Sequence, residues 1–156
     1  MDDRAFMAEA IALAEEGVRE GLGGPFGAVV VRKGKIIGRG QNRVLTDGDP
    51  TAHAEMVAIR DACRRLGHFQ LDGCTLYSSC EPCPMCLGAI YWARPQRLVY
   101  ACTHEDASAV GFDDSFIYQE MALPVDKRSL TTQQLMREEG LRPMRLWAEK
   151  EDKTEY

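Results

Sequence analysis

The sequence predicts an α/β domain of three layers, α/β/α, in which a mixed five-stranded sheet carries helices on both faces. Three observations point there. An apolar stripe at helical spacing opens the chain, and two β-branched runs joined by Lys33-Gly34 follow it. Strand-like and helical runs then alternate, which calls for parallel pairing with right-handed crossovers. The Lys33-Gly34 turn calls for one antiparallel hairpin in the same sheet.

Taken in order, Met7, Ala10, Ile11, Ala14 and Val18 set the first helix, from Asp3 to about Glu20. Asp2 or Asp3 can cap it, and Gly21, Gly23, Gly24 and Pro25 stop it. The stretch 26–32 (FGAVVVR) reads as a strand, and 35–42 returns beside it. A polar loop at 46–49 leads to a helix over about 51–66, which Gly67 ends. The stretch 75–79 (TLYSS) is the third strand, 84–93 a helix halted before Pro95, and 97–102 (RLVYAC) the fourth strand. A short helix is expected at 113–121, an edge strand at 128–135 and a final helix at 141–150.

Composition narrows the class. At 156 residues, 45% hydrophobic and 28% charged, the chain is expected to form a single domain over 1–156 with a core of its own. Its first twenty residues are too rich in charge for a secretory signal, and no run approaches a membrane span. A cytoplasmic protein is therefore expected, with its six cysteines serving as metal ligands or buried thiols. The net charge of −5, with no basic cluster beyond Arg64-Arg65, disfavours nucleic acid as a partner.

The chemistry sits in TAHAE (51–55) and CEPCPMC (80–86). One imidazole and two thiolates give zinc three protein ligands and leave a fourth position for water, as catalytic zinc sites do. The spacing His-x-Glu, then Pro-Cys-x-x-Cys, is the signature of zinc nucleobase deaminases, in which the Glu is an acid/base and not a ligand. A lone Cys-x-x-Cys is weak and often marks structural zinc or redox chemistry. A His-x-Glu upstream, with both motifs at helix starts, makes the catalytic reading strong. Cys80, Cys83 and Cys86 share part of a ferredoxin spacing, but Cys102 does not complete it. Cys63, Cys74 and Cys80 read as small buried residues, and His68 and His104 as surface or loop histidines with no partner visible.

The predicted topology gathers these groups. Ligands of open α/β sheets bind at the carboxyl ends of parallel strands, where the next helices begin. His53, Cys83 and Cys86 open two such helices, while Phe26, Asn42 and the 112–114 segment reach the same edge. Unpaired amides there, such as that of Ala54, can steady an anion.

TAHAE with CEPCPMCLGAIYWAR resembles the cytidine/deoxycytidylate deaminase superfamily. Within it, GGPFGAVVV, Asn42 and GFDDSFIY (111–118) resemble the short zinc type of bacterial guanine deaminase, over nearly the whole chain. The resemblance implies that His53, Cys83 and Cys86 hold one zinc ion and that Glu55 shuttles protons. It implies apolar walls from Phe26 and Trp92, a hydrogen bond from Asn42, and Asp114 at the donor edge of guanine. A carboxylate there makes physical sense, since guanine presents N–H donors at N1 and its 2-amino group. The resemblance also implies a homodimer that exchanges its C-terminal segment, about 140–156, with Tyr156 closing the partner's site. Asp113, Asp114 and Ser115 could instead cap the following helix, with cap and recognition balanced for Asp113. Rival functions are a tRNA adenosine deaminase, a deaminase of another small amino-heterocycle such as a triazine or cytosine, and a module with structural zinc.

Overall fold

The structure is a computed structural model and describes residues 2–156. Helix α1 (Asp3–Arg19) starts where Asp2 Oδ1 accepts a hydrogen bond from the Ala5 amide at 3.0 Å. That bond satisfies one donor a helix start leaves open. Its buried positions are Phe6, Ala10, Ala14 and Gly17, the narrow stripe of a helix lying on a sheet. Strands β1 (Gly27–Arg32) and β2 (Lys35–Gln41) form the expected hairpin. Its turn residues, Lys33 and Gly34, have φ of 51° and 75°. Two left-handed residues match the twist of a two-residue hairpin.

A short helix, α2 (Val44–Asp47), replaces the start of the expected polar loop. Then come α3 (Ala54–Leu66), β3 (Cys74–Cys80), α4 (Pro84–Ala93), β4 (Arg97–Cys102) and α5 (His104–Ala109). The sheet order is β2-β1-β3-β4. Strand β1 runs antiparallel to both neighbours, and β3 and β4 are parallel, joined by α4 as the crossover. Alternate residues face opposite ways, so each face has its own core. Val29, Val31 and Tyr77 pack with Phe6 of α1. Ala28, Val30 and Leu76 pack with Ala58 and Ala62 of α3 and Ile90 of α4. The three-layer α/β/α arrangement follows directly. Glycine matters at Gly27, where a Cβ would lie 2.1 Å from the Ala10 carbonyl oxygen of α1.

The sheet has four strands among the described residues, and the fifth that the sequence suggested is absent. Residues 128–135 follow α6 (Ser115–Ala122) and a 3₁₀ turn (Val125–Lys127), and they precede α7 (Arg137–Glu149). Arg128 Nε donates to the Glu120 carbonyl oxygen at 3.0 Å, and the Ser129 amide donates to the Glu120 carboxylate at 3.1 Å. These bonds tie the segment to the end of α6, and its polar alternation offers little apolar surface to a sheet. Helix α7 begins a turn earlier than expected and carries Pro143 inside it. The chain divides into two compact units, the first ending at Ser115 and the second spanning Phe116–Tyr156. No helix among the described residues is long and apolar enough to cross a membrane.

Candidate active site

The site forms at the edge where β1 begins and β3 and β4 end. Ser79 Oγ accepts from the Gly27 amide at 2.9 Å, which fixes the end of β3 to the start of β1. The Glu81 amide donates to the Cys102 carbonyl oxygen at 2.8 Å, extending the β3–β4 pairing past the last strand residue. Extended backbone at His53 and Cys83 makes each the N-cap of its helix, α3 and α4 respectively. The His53 side chain makes no cap bond to α3, and the Cys83 sulfur faces His53 and Cys86. Both side chains are therefore available to a third party.

The third party they suit is a cation. His53 Nδ1 stands 3.5 Å from Cys83 Sγ and 3.5 Å from Cys86 Sγ. All three ligand atoms lie within 4.8 Å of one another. Zinc–nitrogen and zinc–sulfur bonds of about 2.05 and 2.3 Å at a tetrahedral angle give an N···S edge of about 3.55 Å. The observed edges match, so the residues fit zinc. The electrostatics agree. A hydrogen bond from Cys86, together with His53, holds the Cys83 thiol far below its usual range. The bond to Cys83 and burial push the Cys86 thiol up. Two adjacent thiolates are sustained by a shared cation. His53 is raised by its bond to Cys83.

Glu55, in the first turn of α3, is only 6% exposed. Burial pushes its carboxyl up to about 7, and the nearby Cys83 adds to the rise. A carboxyl near neutrality can both take and give a proton, which a general acid–base needs. Ala54 is fully buried beside it.

The remaining candidates divide. Phe26 is half-buried and meets Phe112 edge-on, with ring centroids 5.0 Å apart at 86°. Asn42 is buried. Its amide donates to the Phe26 carbonyl oxygen at 3.0 Å, and its Oδ1 accepts from the Val44 amide. These contacts gather Phe26, Asn42 and the 112–114 segment at one edge. Asp114 acts on Cys80 electrostatically, as does Glu55, so both acids flank the end of β3. Trp92 lies at the far end of α4, six residues past Cys86 or about 9 Å along the axis. It is 63% exposed. Tyr156 belongs to the second unit and is exposed.

The aspartates differ. Asp113 Oδ1 accepts from both the amide and the hydroxyl of Ser115, so it caps the turn into α6. Asp114 Oδ2 lies 3.1 Å from His104 Nδ1, and His104 Nε2 lies 3.1 Å from Glu81 Oε2. His104 thus has two carboxylate partners, which corrects its reading as an ordinary loop histidine. His68 has local contacts, accepting from the Gln70 amide and stacking on Phe69. The Glu81 and His104 partnership carries no periodic signal, because the residues come from separate loops 23 positions apart. Thr103-His-Glu-Asp does form a capping box, which marks the helix that places His104.

Comparison with known proteins agrees with this geometry. Residues 1–102 match the family described as the cytidine and deoxycytidylate deaminase zinc-binding region. The chain is 55% identical to guanine deaminase of Bacillus subtilis over 156 residues, all of both chains. It superposes on the X-ray structure of guanine deaminase from Bacillus subtilis with a TM-score of 0.97, covering 100% of this chain and 99% of that one. It is also 44% identical to a tRNA-specific adenosine deaminase of Bacillus subtilis, over 63% of this chain and 60% of that protein. The matched region runs through the His53, Cys83 and Cys86 cradle, and this chain belongs to the cytidine and deoxycytidylate deaminase family.

Proposed function

We propose that this protein is a zinc-dependent guanine deaminase, converting guanine and water to xanthine and ammonia in purine catabolism or salvage. The observation that carries the reading is the reach of the similarity. The family match ends at Cys102, whereas the likeness to guanine deaminase continues through Asp114 to the last residue. The likeness to tRNA adenosine deaminases is partial, reaching 74% of the chain in sequence and 81% in a solved structure at 36% identity.

Zinc held by His53, Cys83 and Cys86 supplies Lewis-acid activation of water, lowering its pKa toward neutrality. Glu55 carries one proton of the attacking water to a ring nitrogen and then the second, from the hydroxyl left on C2, to the departing 2-amino group. Guanine C2 gains the water oxygen and loses ammonia. Phe26 walls the flat base, Asn42 hydrogen-bonds it, and the Ala54 amide steadies the developing charge. Asp114 accepts from N1–H and the 2-amino group, and it helps to protonate the amine as it leaves.

The whole chain, 1–156, acts as one deaminase domain within a cytoplasmic homodimer, exchanging about 140–156 so that Tyr156 closes the partner's site. Two features support a second copy. Helices α6 and α7 bury no residue, leaving Phe116, Met144, Leu146 and Trp147 exposed. An apolar groove of about 570 Å³ also opens between α1, β4 and α5, lined by Ile11, Val18, Ala101 and Val110. The six unpaired cysteines suit a reducing cytoplasm.

The test is to incubate zinc-loaded protein with guanine, adenine, cytosine, cytidine, guanosine and tRNA, following ammonia and the ultraviolet spectrum. Ammonia from guanine with a xanthine spectrum is expected. Turnover of another base or of tRNA alone overturns the substrate. Light scattering then decides the homodimer, which a monomer at working concentration would refute.

A further inference from the structure

His104 stands between two carboxylates and outside the zinc cradle. Nδ1 is 3.1 Å from Asp114 Oδ2 and Nε2 is 3.1 Å from Glu81 Oε2. An ionised carboxylate only accepts, so the Nδ1 that faces Asp114 is the donor of that contact. Glu81 is itself fastened. Its Oε1 accepts from the His104 backbone amide at 3.3 Å, and its own amide is bonded to Cys102. The imidazole is thus held at one end by a group rooted in β3 and offers its other end to Asp114.

Asp114 has an unequal pair of oxygens. Oδ2 meets His104, whereas Oδ1 is buried and has no hydrogen-bond partner among the described residues. A buried acceptor left unmatched is costly, so such an atom calls for a donor. A carboxyl group turns freely about its last bond, and a bond at one oxygen fixes the plane of both. Asp113 takes no part, being engaged with Ser115.

We propose that His104 is a positioning residue for Asp114, anchoring Oδ2 so that Oδ1 faces the N–H donor edge of the bound base. This rests on the reading of Asp114 as the base-recognising acid. A purely structural alternative exists, in which His104 merely ties α5 to Glu81.

Two substitutions separate them by which nitrogen they imitate. His104→Asn keeps an N–H donor near the place of Nδ1 and loses the reach to Glu81. His104→Gln keeps a donor near the place of Nε2 and abandons Asp114. The wild type and both variants would be compared in kcat and kcat/KM for guanine, with zinc content and melting temperature measured alongside. His104→Gln should lose about tenfold to hundredfold in kcat/KM, the scale set by small misplacements of a substrate-orienting group. His104→Asn should retain most of the wild-type value, and both should keep their zinc. The reverse order, or equal losses that follow melting temperature, would overturn the proposal in favour of the Glu81 tie. If wild type turns over a different base, the guanine reading falls, and the Asn-above-Gln order on that base still decides the role of His104.

Discussion

A methyl group on Gly40 would stand 2.2 Å from the Ala54 carbonyl oxygen, so β2 and the first turn of α3 meet backbone to backbone. The same holds one step along, where a methyl group on Gly38 would stand 2.5 Å from the Ala58 carbonyl oxygen. Helix α3 therefore owes its height above the sheet, and with it the position of His53, to two missing side chains. Gly40→Ala should lower stability by about 1–3 kcal/mol, the usual cost of overpacking. Zinc affinity should fall with it. Urea unfolding with metal analysis checks this, and an unchanged midpoint would mean that α3 can lift without cost.

Glu55→Gln keeps the shape of the side chain and removes its acid–base chemistry. Zinc stoichiometry should stay at the wild-type level while kcat falls by about 10²–10⁴ or more, the range expected for a general acid–base. Loss of zinc together with activity would make Glu55 a support of the cradle instead.

The adjacent aspartates should separate in their effects. Asp114→Ala should remove guanine turnover with zinc and fold intact, since Oδ1 bonds nothing else among the described residues and His104, the partner of Oδ2, stays tied to Glu81. Asp113→Ala should lower the melting temperature slightly through its lost bonds to Ser115 and leave kcat/KM nearly unchanged. Kinetics and thermal melts on the two variants decide, and interchanged phenotypes would reverse the assignment.

Tyr77 predicts an alkaline limb. Its hydroxyl donates to Asp3 Oδ1 at 2.6 Å, and Arg97 donates to Asp3 Oδ2 at 2.8 Å. Burial, reinforced by the bond to Asp3, raises the phenol to about 12. An unfolded tyrosine ionises near pH 10, at about its ordinary value. Between these values the folded state binds more protons, so stability falls as pH rises through that window. Tyr77→Phe should flatten the dependence of the urea midpoint there. Parallel slopes for the two proteins would show that other groups govern the limb.

The centre of the site was legible because it is written in local rules. Gly67 and Pro84 bracket the helices, and His53 and Cys83 fall at their caps, where the sheet topology brings the ligands together. The fifth strand was misread because 128–135 looks like an edge strand on propensity, while Arg128 and Ser129 find their partners on Glu120. The role of His104 was invisible for the opposite reason. Its partners lie at positions 81 and 114, and only the parallel pairing of β3 with β4 places them on either side of one ring. The two aspartates could not be told apart in sequence, because capping and recognition ask for the same side chain.

That parallel pairing has a further consequence. The cradle's two thiolates follow β3, and the proposed base reader follows β4 and α5, with Cys80 and Cys102 in register beneath them. Bond-breaking chemistry and substrate choice thus stand on neighbouring but separate stems. Selection can remodel the second loop to admit a new heterocycle while the first continues to hold its metal, a division of labour that lets one scaffold diversify without relearning its reaction.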